Sequence, residues 1–123
     1  NLRYSKDHEW VLVEGDVATV GITDYAQSSL GDVVYVDFPR VGDDFTAHDA
    51  IGSVESVKAV SEIFTPVGGE IVEINESVND TPENVNNDCY GEGWMFKIKM
   101  SNALETDAML SNVEYEEYLN SEK

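Results

Sequence analysis

Turn residues cut the first hundred residues into short β-branched runs at close intervals, and this punctuation points to antiparallel strands. Residues 9–13 and 17–22 read as two strands joined by Glu14-Gly15-Asp16, an acidic glycine turn of the hairpin kind. Thr23-Asp24 can cap a short helix that runs to Leu30 and stops at Gly31. Residues 33–38 form a strand ended by Pro39, and Gly42-Asp43-Asp44 is a turn. Residues 51–56 and 60–64 are strand-like, with Val57-Lys58-Ala59 at their connection. Thr65-Pro66-Val67-Gly68-Gly69 breaks the pattern. Residues 70–74 make a strand in which Ile71 and Ile74 share a face only if a bulge or bend intervenes. A polar stretch covers 75–93, where Thr81-Pro82-Glu83 suits a helix start, with Thr at the cap and Pro first. Residues 94–100 are the last strand, Lys97 and Lys99 alternating with Trp94, Phe96 and Ile98. The tail reads as helical over 104–110 and 113–119.

One segment echoes another. Gly31-Asp32-Val33-Val34-Tyr35-Val36 and Gly69-Glu70-Ile71-Val72-Glu73-Ile74 share the order glycine, acid, β-branched, valine, any, β-branched. This suits a sandwich of two similar β halves, with the Lys58 turn between them. The length, 123 residues, fits one domain over 1–123, with a β core over about 9–100 and a helical tail over about 103–120.

Charge narrows the partners. The net charge is −18, from 25 acidic against 7 basic residues, which disfavours nucleic acid and anionic membranes. Such a surface serves solubility, steering towards basic partners, or both. No apolar run is long enough to span a membrane, and no secretory signal is expected. Cys89 stands alone, so neither a disulfide nor a Cys-x-x-Cys pair forms, and a reducing compartment is expected. No cluster has zinc-ligand spacing, and Gly91-Glu92-Gly93 lacks the rest of a phosphate loop, so no metal is expected.

The chemistry concentrates at Lys58. It is the only lysine or arginine between Arg40 and Lys97. A lysine at a hairpin tip offers its amine to an acylating enzyme, although by position alone a solvated turn lysine is the commoner reading. Its segment, Glu55-Ser56-Val57-Lys58-Ala59, resembles the lipoylation segment of glycine cleavage H proteins. Further blocks resemble that family in the same order: Lys6-Asp7-His8-Glu9-Trp10, Val20-Gly21-Ile22-Thr23-Asp24-Tyr25-Ala26-Gln27, Leu30-Gly31-Asp32-Val33-Val34, Thr65-Pro66-Val67-Gly68-Gly69-Glu70, Val85-Asn86 and Tyr90-Gly91-Glu92-Gly93-Trp94. Together they cover nearly the whole chain. Cys89, where many relatives have Pro, Gly69, where many have a polar residue, and Ser29, sometimes His, depart from the pattern.

The resemblance implies a mainly β fold, the barrel-sandwich hybrid of lipoyl and biotinyl domains, built of two antiparallel sheets with short helices and a helical C-terminus. It implies a non-catalytic carrier with lipoate attached covalently to Lys58, and Glu55, Ser56, Val57 and Ala59 as the recognised attachment segment. Its oxidised lipoamide would accept an aminomethyl group at a pyridoxal-phosphate-dependent glycine decarboxylase. The group would pass to a tetrahydrofolate-dependent aminomethyltransferase, and dihydrolipoamide dehydrogenase would reoxidise the arm. Lipoylating enzymes complete the partners. The location would be the cytoplasm of a bacterium or the mitochondrial matrix of a eukaryote. Glu9, Glu62 and His8 are the residues expected at an arm-docking cleft, although a solvated Glu9 and a structural His8 are the plainer readings.

Four alternatives stand beside this one. An H-like protein delivering lipoate to other enzymes shares every motif. A lipoyl domain of a 2-oxoacid dehydrogenase complex would bring a flexible linker, and none is seen. A biotin carrier would place Met on both sides of the lysine, whereas Lys99 follows Ile98. Paired-carboxylate hydrolysis has little support where so many acids occur by chance.

Overall fold

The computed structural model describes residues 2–121; Asn1, Glu122 and Lys123, at the ends of the expected domain, lie outside the described residues. Two antiparallel sheets face each other. The larger has the order β1 (Arg3–Tyr4), β2 (Glu9–Glu14), β3 (Val17–Ile22), β9 (Phe96–Met100), β8 (Gly69–Ile74), β5 (Asp44–Phe45). The smaller runs β4 (Val33–Asp37), β6 (Ala50–Ser56), β7 (Val60–Phe64). The expected two-sheet sandwich is therefore present, and its sheets do not close into a barrel.

The core lies where inward faces meet. Val11, Ala18, Val20, Ile71, Phe96 and Ile98 from the large sheet pack with Val36, Val54 and Ile63 from the small one. Burying such side chains contributes roughly 1.5–3 kcal/mol each before entropy is counted. Trp10 pairs across strands with Gly21 and lays its indole where a Cβ would stand, 2.7 Å from the indole nitrogen. Its Nε1–H donates to the Cys89 carbonyl, so this tryptophan is core.

Local signals account for most element ends. Thr23 caps α1 (Asp24–Leu30) by accepting from Ala26 N–H, and Gly31 ends it with φ at 82°. The register shift between Ile71 and Glu73 is the bulge that the spacing of Ile71 and Ile74 required. The two echoing segments become β4 and β8, one in each sheet. The Lys58 turn joins β6, which precedes it, to β7, which follows it, and both lie in the small sheet.

The polar stretch holds more structure than its composition suggests. Asn75 caps α2 (Glu76–Asp80), and Val78 and Val85 are fully buried beneath α2 and α3 (Asn84–Asn87). Thr81 ends α2, and α3 follows with Glu83 at its N-cap and no side-chain cap bond. The Thr-Pro start signal is nonetheless met, since Asn84 N–H donates to the Thr81 carbonyl and Val85 N–H to the Pro82 carbonyl, and the buried valines anchor both helices. The short pairs β1 and β5 were not legible, because two residues carry no periodicity. The tail forms a 3₁₀ segment, Ala103–Ala108, followed by α4 (Asn112–Ser121).

Candidate functional site

The turn between β6 and β7 is held by one side chain. Ser56 Oγ accepts from Lys58 N–H at 3.3 Å and Ala59 N–H at 3.0 Å, while Ser56 N–H donates to the Ala59 carbonyl at 2.8 Å. Val57 N–H donates to the Asp32 carbonyl, tying the turn to the segment before β4. A buried hydroxyl thus fixes the backbone that carries Lys58. Around it Glu55, Val57, Lys58 and Ala59 are exposed, with Val57 at 69% and Val60 at 66%. Exposed valines beside an exposed lysine have no interior partner to explain them.

The lysine stem leans over Gly31: a Cβ there would stand 3.4 Å from Lys58 Cε. Gly31 is itself clamped, since Asn86 Nδ2 donates to its carbonyl at 2.8 Å and Asn86 Oδ1 accepts from Val33 N–H. Glycine does two things at this position. It adopts the positive φ that ends α1, and it leaves room for the stem. By contrast, Lys99 lies inside β9 between Val17 and Glu70, not at a tip.

From Leu30, next to Gly31, a groove of about 190 Å³ runs between α1 and the sheets. Ile22, Leu30, Val54 and Ile63 give it apolar walls, and His8, Glu9 and Glu62 join them. The three residues expected at one cleft are therefore brought together, although Glu62 stands in β7, far along the chain from His8 and Glu9. They differ in environment. Glu62 is exposed on β7. His8 is half-buried with φ at 68°; its Nδ1 lies 2.8 Å from Tyr115 Oη, and its ring lies 4.5 Å from that of Tyr25. Glu9 is 2% exposed, so it is not the solvated acid that its residue type suggests.

Glu9 joins the two sheets. Its Oε1 accepts from Ser5 Oγ–H at 2.8 Å, and its Oε2 accepts from the Phe64 N–H of β7 at 3.1 Å. Burial pushes its carboxyl up from the ordinary 4.5 to about 8, and the two hydrogen bonds offset only part of that rise. Ser5 could not be singled out in the sequence, because loop closure alone brings it to Glu9. Cys89 is buried in a turn after α3, and burial raises its thiol to about 11, which leaves it a poor nucleophile. Trp94 is half-buried with Lys97 Nζ 5.2 Å from its ring centre. His48, at φ 74°, is exposed in its loop. Among the described residues, no group of three His, Cys, Asp or Glu is arranged to hold a metal ion.

A β sandwich with a lysine-bearing hairpin at one end is the architecture of the lipoyl- and biotinyl-type domains. Comparison with known proteins narrows that class. Residues 2–122 match the family described as glycine cleavage H-protein, and the chain belongs to that family. A glycine cleavage system H protein of Carboxydothermus hydrogenoformans is 50% identical over 122 residues, covering 99% of this chain and 94% of the relative. One from Geobacillus thermodenitrificans is 53% identical over 119 residues, covering 97% and 94%. The crystal structure of a glycine cleavage system H protein from Mycobacterium marinum superposes with a TM-score of 0.85 at 35% identity, covering 98% of this chain and 95% of that one.

Proposed function

We propose that this chain is the lipoyl carrier of a glycine cleavage system, with lipoate in amide linkage to Lys58 Nζ. The observation that carries the reading is the route from Lys58. Its amine stands on a stapled, exposed turn, and its stem passes Gly31, whose neighbour Leu30 lines a groove shared by Glu9, Glu62 and His8. The residues fit the group, since a side chain on Gly31 would fill the space beside the stem. When bound, the lipoyl group supplies a dithiolane that carries an aminomethyl fragment between enzymes.

The chain's own residues present and shelter. Ser56 holds the turn so that an acylating enzyme meets one backbone shape, read through exposed Glu55, Val57 and Ala59. Ile22, Leu30, Val54 and Ile63 keep bulk water from whatever occupies the groove. Burial favours the protonated carboxyl of Glu9, and a cationic amine beside it would favour the carboxylate, because an opposite charge stabilises that form. Glu62 and Asp7 bring further carboxylates to the groove. On this reading the chain, taken as one domain over 1–123, performs no chemistry itself. Its partners are the pyridoxal-phosphate glycine decarboxylase, the tetrahydrofolate-dependent aminomethyltransferase, dihydrolipoamide dehydrogenase and the lipoylating enzymes. Its place is the cytoplasm of a bacterium; the relatives above are bacterial, and no described helix is long and apolar enough to cross a membrane.

Peptide mass spectrometry of protein from its native host tests the assignment. One lipoyl group on the peptide containing Lys58 is expected. A biotin adduct, or modification at Lys99 alone, would overturn it. Lys58→Arg should fold with stability within about 0.5 kcal/mol of the wild type, as exposed turn positions do, and support no glycine decarboxylation. Bicarbonate exchange by that variant would refute the swinging arm.

A further inference from the structure

We propose that the hollow between α1 and α4 is a docking socket for an arginine side chain of a partner enzyme. The hollow measures about 490 Å³ and is lined by four tyrosines, Tyr4, Tyr25, Tyr90 and Tyr115, with Asp24 and Glu116 also in its lining. Its floor is rigid. Tyr4 and Tyr115 stack with ring centres 4.7 Å apart and planes 7° apart, and Tyr115 is only 6% exposed. Its sides are open: Tyr25 is 41% exposed and Tyr90 43%. Tyr90 is held in place, since its Oη accepts from Asp24 N–H at 3.0 Å and its ring stands against Trp10. Among the described residues, no lysine, arginine or histidine lines this hollow.

Aromatic faces and carboxylates without a resident cation make a site for a cation from outside. A guanidinium suits it better than an ammonium, because a flat group stacks on rings while its edge reaches carboxylates. The net charge of −18 draws basic surfaces towards the chain, and this hollow gives one such side chain a defined seat. Its position also fits. Tyr25 lines both the hollow and the groove that Leu30 and Glu9 share, so an enzyme covering that groove also covers the socket. The occupant being a partner enzyme rests on the carrier reading; the preference for arginine does not.

Two measurements test the proposal. In the first, N-acetyl-arginine amide is titrated into the isotopically labelled protein. It should shift the backbone signals of Asp24, Tyr90 and Glu116, and the citrulline analogue, lacking the charge, should not. Equal shifts with both probes, or none with arginine, would overturn the socket whether or not the chain is a carrier. In the second, lipoylated variants are assayed with glycine decarboxylase and with aminomethyltransferase. Glu116→Lys and Tyr90→Leu should raise KM for the carrier about five- to tenfold with at least one enzyme, at unchanged kcat, and Tyr90→Phe should not. Asp44→Lys, the same charge change at an exposed residue of β5 at the far edge of the large sheet, is the control. If Asp44→Lys raises KM as much as Glu116→Lys, only overall charge matters and the socket fails. A wild-type protein that is never lipoylated would sink the carrier reading and leave the arginine titration to decide the socket.

Discussion

Glu9 is the residue whose environment departs furthest from its type. Its carboxyl titrates near 8 in the folded chain and near 4.5 when unfolded, so between those values the folded state binds the extra proton. Stability from this group is therefore present below pH 4.5 and is lost as pH rises through 8. Melting temperature should fall more steeply from pH 6 to pH 9 in the wild type than in Glu9→Gln, which mimics the protonated form. Parallel melting curves would remove Glu9 as the cause. On the proposed carrier reading, the same residue bears on protection of the arm. An aminomethyl group bound through sulfur releases formaldehyde in water, and its protonated amine needs a partner in the groove. Formaldehyde release from the loaded Glu9→Gln variant, without any enzyme present, should be faster than from wild type. Release at the wild-type rate, in it and in the double variant with Glu62→Gln, would exclude both carboxylates from protection. In the sequence Glu9 is one of 25 acids, and only the resemblance drew it out. Its burial depends on Ser5 and on β7, and no local pattern encodes either.

At the scale of elements, the β6–β7 hairpin and α1 divide the work. The hairpin presents Lys58, and α1 ends on the glycine that its stem crosses. Ser56→Ala leaves the N–H groups of Lys58 and Ala59 without their acceptor and should cost about 1–2 kcal/mol. It should also slow lipoylation of Lys58, while Ser56→Thr restores the rate. A thermal shift with no change in the initial lipoylation rate would mean that enzymes do not read the turn's shape. The limits of this hairpin could be read from β-branched runs flanking a polar turn, and those of α1 from Thr23 and Gly31, because both signals are local. The pairing of the small sheet could not. It depends on β4 reaching β6 across the loops and the short strand β5 between them, which is a matter of long-range packing.

For the whole molecule, charge is the governing property. With −18 spread over so small a chain, association with basic enzyme surfaces should weaken as salt screens it. The KM of glycine decarboxylase for this protein should rise with ionic strength, and a flat response to physiological salt would assign the acidity to solubility alone. Charge, composition and turn spacing need no coordinates. By themselves they determined a mainly β chain with a helical tail and a lysine isolated at a turn, because each follows from residue order over a few positions. The ordered blocks added the family. Only the tertiary structure decided what surrounds that lysine. Gly31 lies beneath its stem, Glu9 is buried between two sheets, and four tyrosines from distant segments meet beside α1. Those meetings are set by how the sheets pack across the core, and neighbours in sequence carry no trace of them.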